Sequence, residues 1–239
     1  MRIIIILPVV VLFLICMIPM QFVEFLIGKY KGQPAKDHLA MVLIRWIFGV
    51  ILWIGGVKVD VIGKENIPKD QAALFVGNHS SIFDILVSYV QFDRPTGFVS
   101  KIETKKIPLL SSWMKLIRCL FLDRSDPREG MKMILAAIAQ IREGVSVFIF
   151  PEGTRSSGEL LEFKEGSMKI ADKSGCPVVP VAISHTREIL EDHFPWIKPT
   201  HVTIQFGTPF YIRDLEKDQQ KHSGAYTREL IIQMKKQVS

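Results

Sequence analysis

Beyond Gly56, short apolar segments of strand type alternate with helical segments, and this alternation constrains the fold more than any other feature of the chain. Segments with strand character cover residues 57–62, 72–76, 97–100, 119–122, 145–150, 178–184 and 202–206. Helices are predicted over about residues 80–90, 107–116, 127–143 and 165–174, with an exposed terminal helix from 214. Because most connections are long enough for crossover helices, we expect an α/β domain over residues 57–239, with a mixed, largely parallel sheet flanked by helices.

Two apolar runs precede this domain. The first, residues 3–27, is long enough to span a hydrocarbon layer and contains two prolines that permit kinks. The second, residues 39–56, carries Arg45, and an arginine at a bilayer centre costs about 3 kcal/mol. This run is therefore expected in the membrane interface, or paired with the first run as a hairpin. We expect residues 1–56 to form a membrane-anchoring segment of two helices; the alternative is a hydrophobic helix pair docked on the domain.

Charge and cysteine usage exclude some classes of function. The net charge is +6, but the first 59 residues account for +4, so the remaining 180 residues carry only +2. A domain with so small an excess of positive charge is not typical of nucleic-acid binding. The three cysteines show no C-x-x-C spacing, which argues against a disulfide framework and against a zinc site.

A histidine and an aspartate stand five residues apart where the strand at 72–76 gives way to a helix. On a regular helix, side chains five residues apart point about 140° apart. His79 and Asp84 can therefore meet only if the histidine lies in the turn and the aspartate in the first helical turn. Asp84 would then orient the ring and leave the other ring nitrogen to take a proton. The alternative is a helix capped by Asn78 or Ser80, with His79 in an ordinary turn.

A second polar turn, residues 150–156, follows the strand at 145–150. Its proline ends the strand, Gly153 permits a tight turn, and Arg155 can donate two hydrogen bonds to a phosphate. We expect Glu152 to hold that guanidinium or to bind a substrate hydroxyl. No Walker sequence is present, so nucleotide hydrolysis has no support. The alternative is a polar turn with a surface ion pair.

A basic stretch covers residues 101–132, which contain eight Lys and Arg residues and four acidic ones. Trp113 and its apolar neighbours make this stretch suitable for resting on anionic lipid. The alternative is a set of solvated charges on an ordinary helix. Lys101 and Arg124, each at the end of a predicted strand, are best placed to enter a pocket.

These segments together resemble the glycerolipid acyltransferase family. Four blocks stand in the family's order: NHSSIFD at residues 78–84, FLDR at 121–124, FPEGTRS at 150–156 and VPV at 179–181. The first block matches the N-H-x4-D motif, and the resemblance covers about half the chain. One position departs from the family pattern: Arg118 stands where many relatives have glycine. This departure leaves the identity of the acceptor headgroup open.

The resemblance implies that His79 is the general base and Asp84 its orienter. The residues that it implies around a phosphate-bearing acceptor are Lys101, Arg124, Glu152, Gly153, Thr154 and Arg155, and residues 164–166 match a further family stretch. It implies acyl transfer from acyl-CoA or acyl-acyl carrier protein to the sn-2 hydroxyl of 1-acyl-glycerol-3-phosphate (lysophosphatidic acid). The product would be phosphatidic acid, made for phospholipid biosynthesis at the cytoplasmic face of a membrane, with no metal or cofactor.

Other functions remain open at this stage. The acceptor could be glycerol-3-phosphate or another lysophospholipid. A lipid esterase would use His79 with Ser80 or Ser81, although the sequence lacks a G-x-S-x-G elbow. A non-enzymatic membrane protein would use its basic face to bind anionic lipid. No nucleic-acid partner is expected.

Overall fold

The computed structural model describes residues 2–16, 18–157 and 159–237. Within these ranges seven strands form one sheet in the order β1-β7-β6-β2-β5-β3-β4. The strands are β1 (Lys58–Ile62), β2 (Leu74–Gly77), β3 (Thr96–Lys101), β4 (Leu120–Leu122), β5 (Ser146–Ile149), β6 (Val178–Ser184) and β7 (His201–Phe206). Neighbouring strands are parallel except for the β6–β7 pair. The mixed, largely parallel sheet expected from the sequence is confirmed.

Helices cover both faces of the sheet. They are α1 (Arg2–Cys16), α2 (Ile18–Lys31), α3 (Gln33–Gly55), α4 (Phe83–Tyr89), α5 (Leu110–Leu116), α6 (Pro127–Arg142), α7 (Lys169–Ser174), α8 (Lys217–Lys221) and α9 (Ser223–Gln237). Side chains alternate across the sheet: Phe75 of β2 packs in an apolar cluster with α3 and α4, whereas Leu74 packs in a second cluster with α6, α7 and α9. The central strands are therefore buried on both faces, which is why their sequences are almost continuously apolar.

The N-terminal region has three helices instead of the expected two. The first apolar run is divided into α1 and α2, which meet at a bend of 46°. Pro19 lies at the second residue of α2, a first-turn position where the missing N–H of proline costs no helical hydrogen bond, whereas Pro8 lies inside α1. By length and composition α3 could cross a membrane, and α1 and α2 together would pass the same test.

Helix α3 also contributes to the core of the domain. Its buried residues recur every three or four positions, so one face of the helix is buried, and the helix contacts α4 and α5. Met41, Ile44 and Ile47 share the apolar cluster of Phe75. At the middle of the helix Arg45 donates to Asp93, with 2.6 Å between nitrogen and oxygen. Val42, Trp46 and Trp53 of α3 are exposed, and the helix also contacts α1 and α2.

Arg118, the residue that departs from the family pattern, lies away from the polar ends of the strands. Its φ is 61°, a left-handed conformation that glycine adopts freely and other residues adopt at a cost of about 1–2 kcal/mol. The guanidinium pairs with Glu143 and lies 4.0 Å from Asp37. The arginine thus keeps a backbone shape suited to glycine, and its side chain is engaged with carboxylates of α3 and of the residue after α6.

The C-terminal helix is packed, in contrast to the exposed helix expected from its charged sequence. Ile231 and Met234 of α9 are buried against the sheet in the second apolar cluster. The Glu165 carboxylate accepts hydrogen bonds from the N–H groups of Gly224 and Ala225, at 2.8 and 3.0 Å. A carboxylate at a helix N-terminus satisfies donors that the helix itself cannot, so it fixes where α9 begins.

Candidate active site

The candidate site lies at the carboxyl ends of the adjacent parallel strands β2 and β5. The chain leaves β2 at Gly77 and β5 at Ile149, so the two polar turns that follow them lie side by side. Asn78 secures the first turn, because its amide group donates to the Ile183 carbonyl at 2.9 Å and accepts from the Ile183 N–H at 2.8 Å. The sheet therefore brings together two segments that are about 70 residues apart in sequence.

His79 and Asp84 meet as the sequence predicts, with the histidine in the turn and the aspartate in the first turn of α4. The distance between His79 Nδ1 and Asp84 Oδ2 is 2.9 Å. The aspartate is fully buried, whereas 14% of the histidine side chain is exposed. A carboxylate at Nδ1 fixes the orientation of the ring and leaves Nε2 for an incoming group.

Asp84 is surrounded by hydrogen-bond donors. Besides the imidazole, Oδ2 accepts from the N–H groups of Ser80 at 2.7 Å and Ser81 at 2.8 Å. Its other oxygen accepts from the Thr186 hydroxyl. A buried carboxylate needs such donors to offset its loss of water, and here they also hold it in one orientation.

The turn after β5 also contacts His79. The Phe150 ring stacks on the imidazole, with 4.1 Å between centroids and 16° between planes. The His79 N–H donates to Glu152 Oε1 at 2.7 Å, and the His79 carbonyl accepts from the Ser156 N–H at 2.8 Å. The second polar turn thus fixes both the backbone and the ring of His79.

Glu152 is not the partner of Arg155 that we expected. Its carboxylate is buried, and it accepts from two backbone N–H groups, those of His79 and of Leu161. Arg155 instead pairs with Glu191, at 3.3 Å between Nη1 and Oε1. The reason is geometric: Glu152 points inward between the two turns, whereas Arg155 is about half exposed.

A cavity of about 640 Å³ opens beside these turns. Six of the eight predicted site residues line it: His79, Lys101, Arg124, Gly153, Thr154 and Arg155. Asp84 and Glu152 lie behind the wall, and Lys164 and Gly166 from the further matching stretch add to it. The apolar part of the lining is formed by Ile82, Ile85, Val99, Leu122, Met133, Ile134, Ile149 and Phe150. The cavity is therefore lined by a histidine, by several positively charged side chains and by an apolar region.

The polar lining is predominantly positive. Four cations, Lys101, Arg124, Arg155 and Lys164, contribute to it, together with the carboxylates of Asp123 and Asp126. Hydrogen bonds from the hydroxyl and the N–H of Ser125 lower the pKa of Asp123 and keep it ionised. Partial desolvation lowers the pKa of Arg124, and nearby Glu103 opposes this effect; the guanidinium remains charged at neutral pH. This excess of positive charge suits an anionic group such as a phosphate.

Two residues of the site, Thr186 and Glu191, were not identified from the sequence. Both follow β6, whose carboxyl end adjoins that of β2. The Thr186 hydroxyl bonds to Asp84, and Glu191 bonds to Arg155 and to the turn after His79. Their position after a strand that was itself predicted was the signal that could have found them.

The serines beside His79 are engaged elsewhere. Ser81 is fully buried; its hydroxyl donates to Glu191 at 2.6 Å and accepts from the Phe83 N–H at 3.0 Å. The Ser80 hydroxyl lies 3.2 Å from that of Thr186. Within the described residues neither serine hydroxyl is hydrogen-bonded to His79, so the geometry does not favour a serine esterase.

Comparison with known proteins yields consistent matches. A family model described as Acyltransferase matches residues 58–184. The 1-acyl-sn-glycerol-3-phosphate acyltransferase of Borreliella burgdorferi is 34% identical over 150 residues, which are 62% of this chain and 60% of that protein. The protein of the same name from Limnanthes alba is 28% identical over 217 residues, 87% of this chain and 69% of that protein.

A solved structure matches the whole fold. The crystal structure of the 1-acyl-sn-glycerophosphate (LPA) acyltransferase from Thermotoga maritima gives a TM-score of 0.76 at 26% identity. The match covers 100% of this chain and 98% of that one, so it includes the N-terminal helices. By contrast, the chain spans 60% of the length of the Borreliella relative and 53% of a Mycoplasma pneumoniae relative.

Proposed function

The chain belongs to the Acyltransferase family, and from this premise we propose that it transfers a fatty acyl group from an acyl thioester to the sn-2 hydroxyl of 1-acyl-glycerol-3-phosphate, forming phosphatidic acid. The names of its relatives in Borreliella and Limnanthes and of the Thermotoga structure support this acceptor. The observation that carries the proposal is the His79–Asp84 pair, whose histidine lines a cavity that is also lined by four positively charged side chains.

His79 acts as the general base. Its Nε2 takes the proton from the sn-2 hydroxyl as that oxygen attacks the thioester carbonyl carbon, and Asp84 stabilises the imidazolium through Nδ1. The tetrahedral intermediate then expels the thiolate, which takes the proton back from His79. A thioester is already activated, so no covalent nucleophile is needed, in keeping with the engaged serines. A positioned base typically contributes a factor of about 10²–10⁴.

The cations hold the acceptor. Lys101, Arg124 and Arg155 bind the phosphate of lysophosphatidic acid, and Lys164 lies in the same lining. Fixing the phosphate places the sn-2 hydroxyl, a few bonds away, near the imidazole. Gly153 and Thr154 shape the turn beside the phosphate, where the left-handed φ of Gly153, 74°, suits glycine. The apolar lining receives an acyl chain, and the donor is acyl-CoA or acyl-acyl carrier protein.

Residues 1–56 anchor the 57–239 domain in one leaflet of the membrane. A helix that crosses a bilayer has lipid around its middle, whereas Arg45, at the middle of α3, pairs with Asp93 of the domain. Helix α3 therefore lies along the domain, and the apolar outer faces of α1 and α2 enter the lipid beside it. Lys29 and Lys31 in the last turn of α2 and Lys36 in the first turns of α3 favour the anionic cytoplasmic face.

The test is acyl transfer from a labelled acyl thioester to lysophosphatidic acid in detergent micelles. We expect the unmodified protein to form phosphatidic acid. The rate of His79→Ala should be at least 10²-fold lower. The matched control is His201→Ala, because His201 is exposed on β7, where it pairs with Asp60. Glycerol-3-phosphate and 1-acylglycerol, offered as acceptors, report whether the existing acyl chain and the phosphate are required. Full activity of His79→Ala would contradict the mechanism, and release of free fatty acid would support an esterase instead.

A further inference from the structure

We propose that Glu191 is a positioning residue that holds Arg155 and the turn after His79 in a fixed arrangement. The bound phosphate then places the acceptor hydroxyl at the distance from His79 that proton transfer requires. This inference rests on the proposed acyl transfer and adds to it a residue outside the four sequence blocks. Glu191 begins a short 3₁₀ turn, Glu191–His193, beyond β6. Its side chain is 15% exposed, so most of the carboxylate is enclosed by the groups that it binds.

One carboxylate connects two of the blocks. Oε2 accepts from the Ser81 hydroxyl at 2.6 Å, and Oε1 accepts from the Ile82 N–H at 2.9 Å. Oε1 also lies 3.3 Å from Nη1 of Arg155 in the turn after β5. Ser81 and Ile82 stand between His79 and Asp84 in sequence. The turn that follows the base and the arginine proposed to bind the phosphate therefore contact the same side chain.

The turn between His79 and Asp84 depends on Glu191 for part of its hydrogen bonding. Asp84 accepts the N–H groups of Ser80 and Ser81, but the next N–H, that of Ile82, is accepted by Glu191. The Ser81 hydroxyl, which accepts from Phe83, is oriented by its donation to Glu191. Donors that lose their acceptor are destabilised, so the turn is expected to shift without this carboxylate.

The second effect concerns Arg155, whose side chain is 47% exposed. A free arginine side chain has many rotamers, and a ligand that binds it must overcome the loss of this entropy. A carboxylate that holds one terminal nitrogen reduces this cost in advance and leaves the other guanidinium donors for a phosphate. We therefore expect Glu191 to act mainly on the apparent affinity for the acceptor through Arg155, and on turnover through the turn.

The substitution Glu191→Gln separates these two effects. The amide oxygen can still accept from the Ile82 N–H, and the amide NH₂ can donate to the Ser81 hydroxyl, but the negative charge that attracts the guanidinium of Arg155 is lost. We expect the KM for lysophosphatidic acid to rise about 5–20-fold, with kcat within about twofold and the KM for the thioester unchanged. Glu191→Ala should lower kcat as well, because the turn also loses its acceptor. The matched control is Asp192→Asn, the next residue, which pairs with Arg187 and should leave both parameters unchanged.

A double-mutant cycle with Arg155→Ala tests whether Glu191 acts through the arginine. If it does, Glu191→Gln adds little to the acceptor KM of Arg155→Ala, since the group it orients is already missing. Additive effects, or an unchanged acceptor KM in Glu191→Gln, would overturn the proposal. A purely structural role would lower the unfolding temperature without this coupling.

Binding of lysophosphatidic acid, measured by thermal shift without any donor, provides a readout that needs no turnover. Glu191→Gln should bind it more weakly than Asp192→Asn does. If the unmodified protein binds the lipid in this Glu191-dependent way but transfers no acyl group, the proposed function fails and the role of Glu191 stands. If acyl transfer is observed and binding is unaffected by Glu191→Gln, the role of Glu191 fails alone.

Discussion

Asp84 shows how one residue can serve two purposes in this site. Its carboxylate orients His79, and it also accepts the N–H groups of Ser80 and Ser81 and the hydroxyl of Thr186. The substitution Asp84→Asn keeps one oxygen for the turn but removes the negative charge beside the imidazolium. We expect the protein to remain folded and kcat to fall at least 10²-fold, as measured by steady-state acyl transfer.

Asp84→Ala provides the contrast to this substitution. It leaves the partly buried N–H of Ser80 and the buried N–H of Ser81 without an acceptor, each at a cost of about 1–3 kcal/mol, so urea unfolding should show a clear loss of stability. Unimpaired kcat in Asp84→Asn would mean that the charge of Asp84 has no part in proton transfer. Equal stability of the Asn and Ala variants would contradict the role of Asp84 in the turn.

At the scale of elements, α1 and α2 present apolar side chains to the outside while α3 packs on the domain. Leu12 and Phe22 are 61% and 64% exposed, so charges at these positions should disturb the fold little. We expect Leu12→Glu with Phe22→Glu to reduce sedimentation with anionic lipid vesicles strongly, because each acidic group must leave water to enter the lipid. Deleting residues 1–56 is a poorer test, since it removes the part of α3 that belongs to the core.

The control for the double variant is Leu161→Glu. Leu161 is apolar and 41% exposed, and its carbonyl accepts a hydrogen bond from Arg228 of α9. It should sediment with vesicles like the unmodified protein. Undiminished sedimentation of the double variant would rule out α1 and α2 as the lipid-contacting helices. The unfolding temperature of each variant in detergent verifies that the fold is retained.

At the scale of the whole molecule, the cavity joins the polar ends of the strands to an apolar region against α6. Gly130 of α6 lines this cavity, and a Cβ added there would meet no atom within 4 Å. The substitution Gly130→Phe should fill part of the apolar space without a cost to the helix, because glycine is a poorer helix former than phenylalanine. We expect transfer of long acyl chains to fall at least fivefold relative to short ones.

The assay for this variant is acyl transfer from thioesters of graded chain length. Gly49→Phe is the matched control: Gly49 is also helical with open space around it, but it lies in α3 and does not line the cavity. If Gly130→Phe uses all chain lengths as the unmodified protein does, the acyl chain occupies another part of the surface.

The sequence by itself determined the alternation of strands and helices, and the positions of most strands to within about two residues. Spacing and the strand-to-helix change allowed a pairing of His79 with Asp84 beside the alternative of a capped helix, and the family resemblance favoured the pairing that the structure shows. Apolar periodicity and turn residues act over a few positions, so these features can be derived without knowledge of the rest of the chain.

Only the tertiary structure decided which distant side chains meet. Glu152 bonds to His79 across 73 positions and Glu191 bonds to Ser81 across 110, so neither contact leaves a local pattern in the sequence. The same holds for α3 and α9, whose apolar and charged sequences suggested lipid and water but whose inner faces pack on the sheet. The physical reason is that a carboxylate or an apolar face takes the partner that the folded backbone brings within reach, and the order of the strands in the sheet sets that choice.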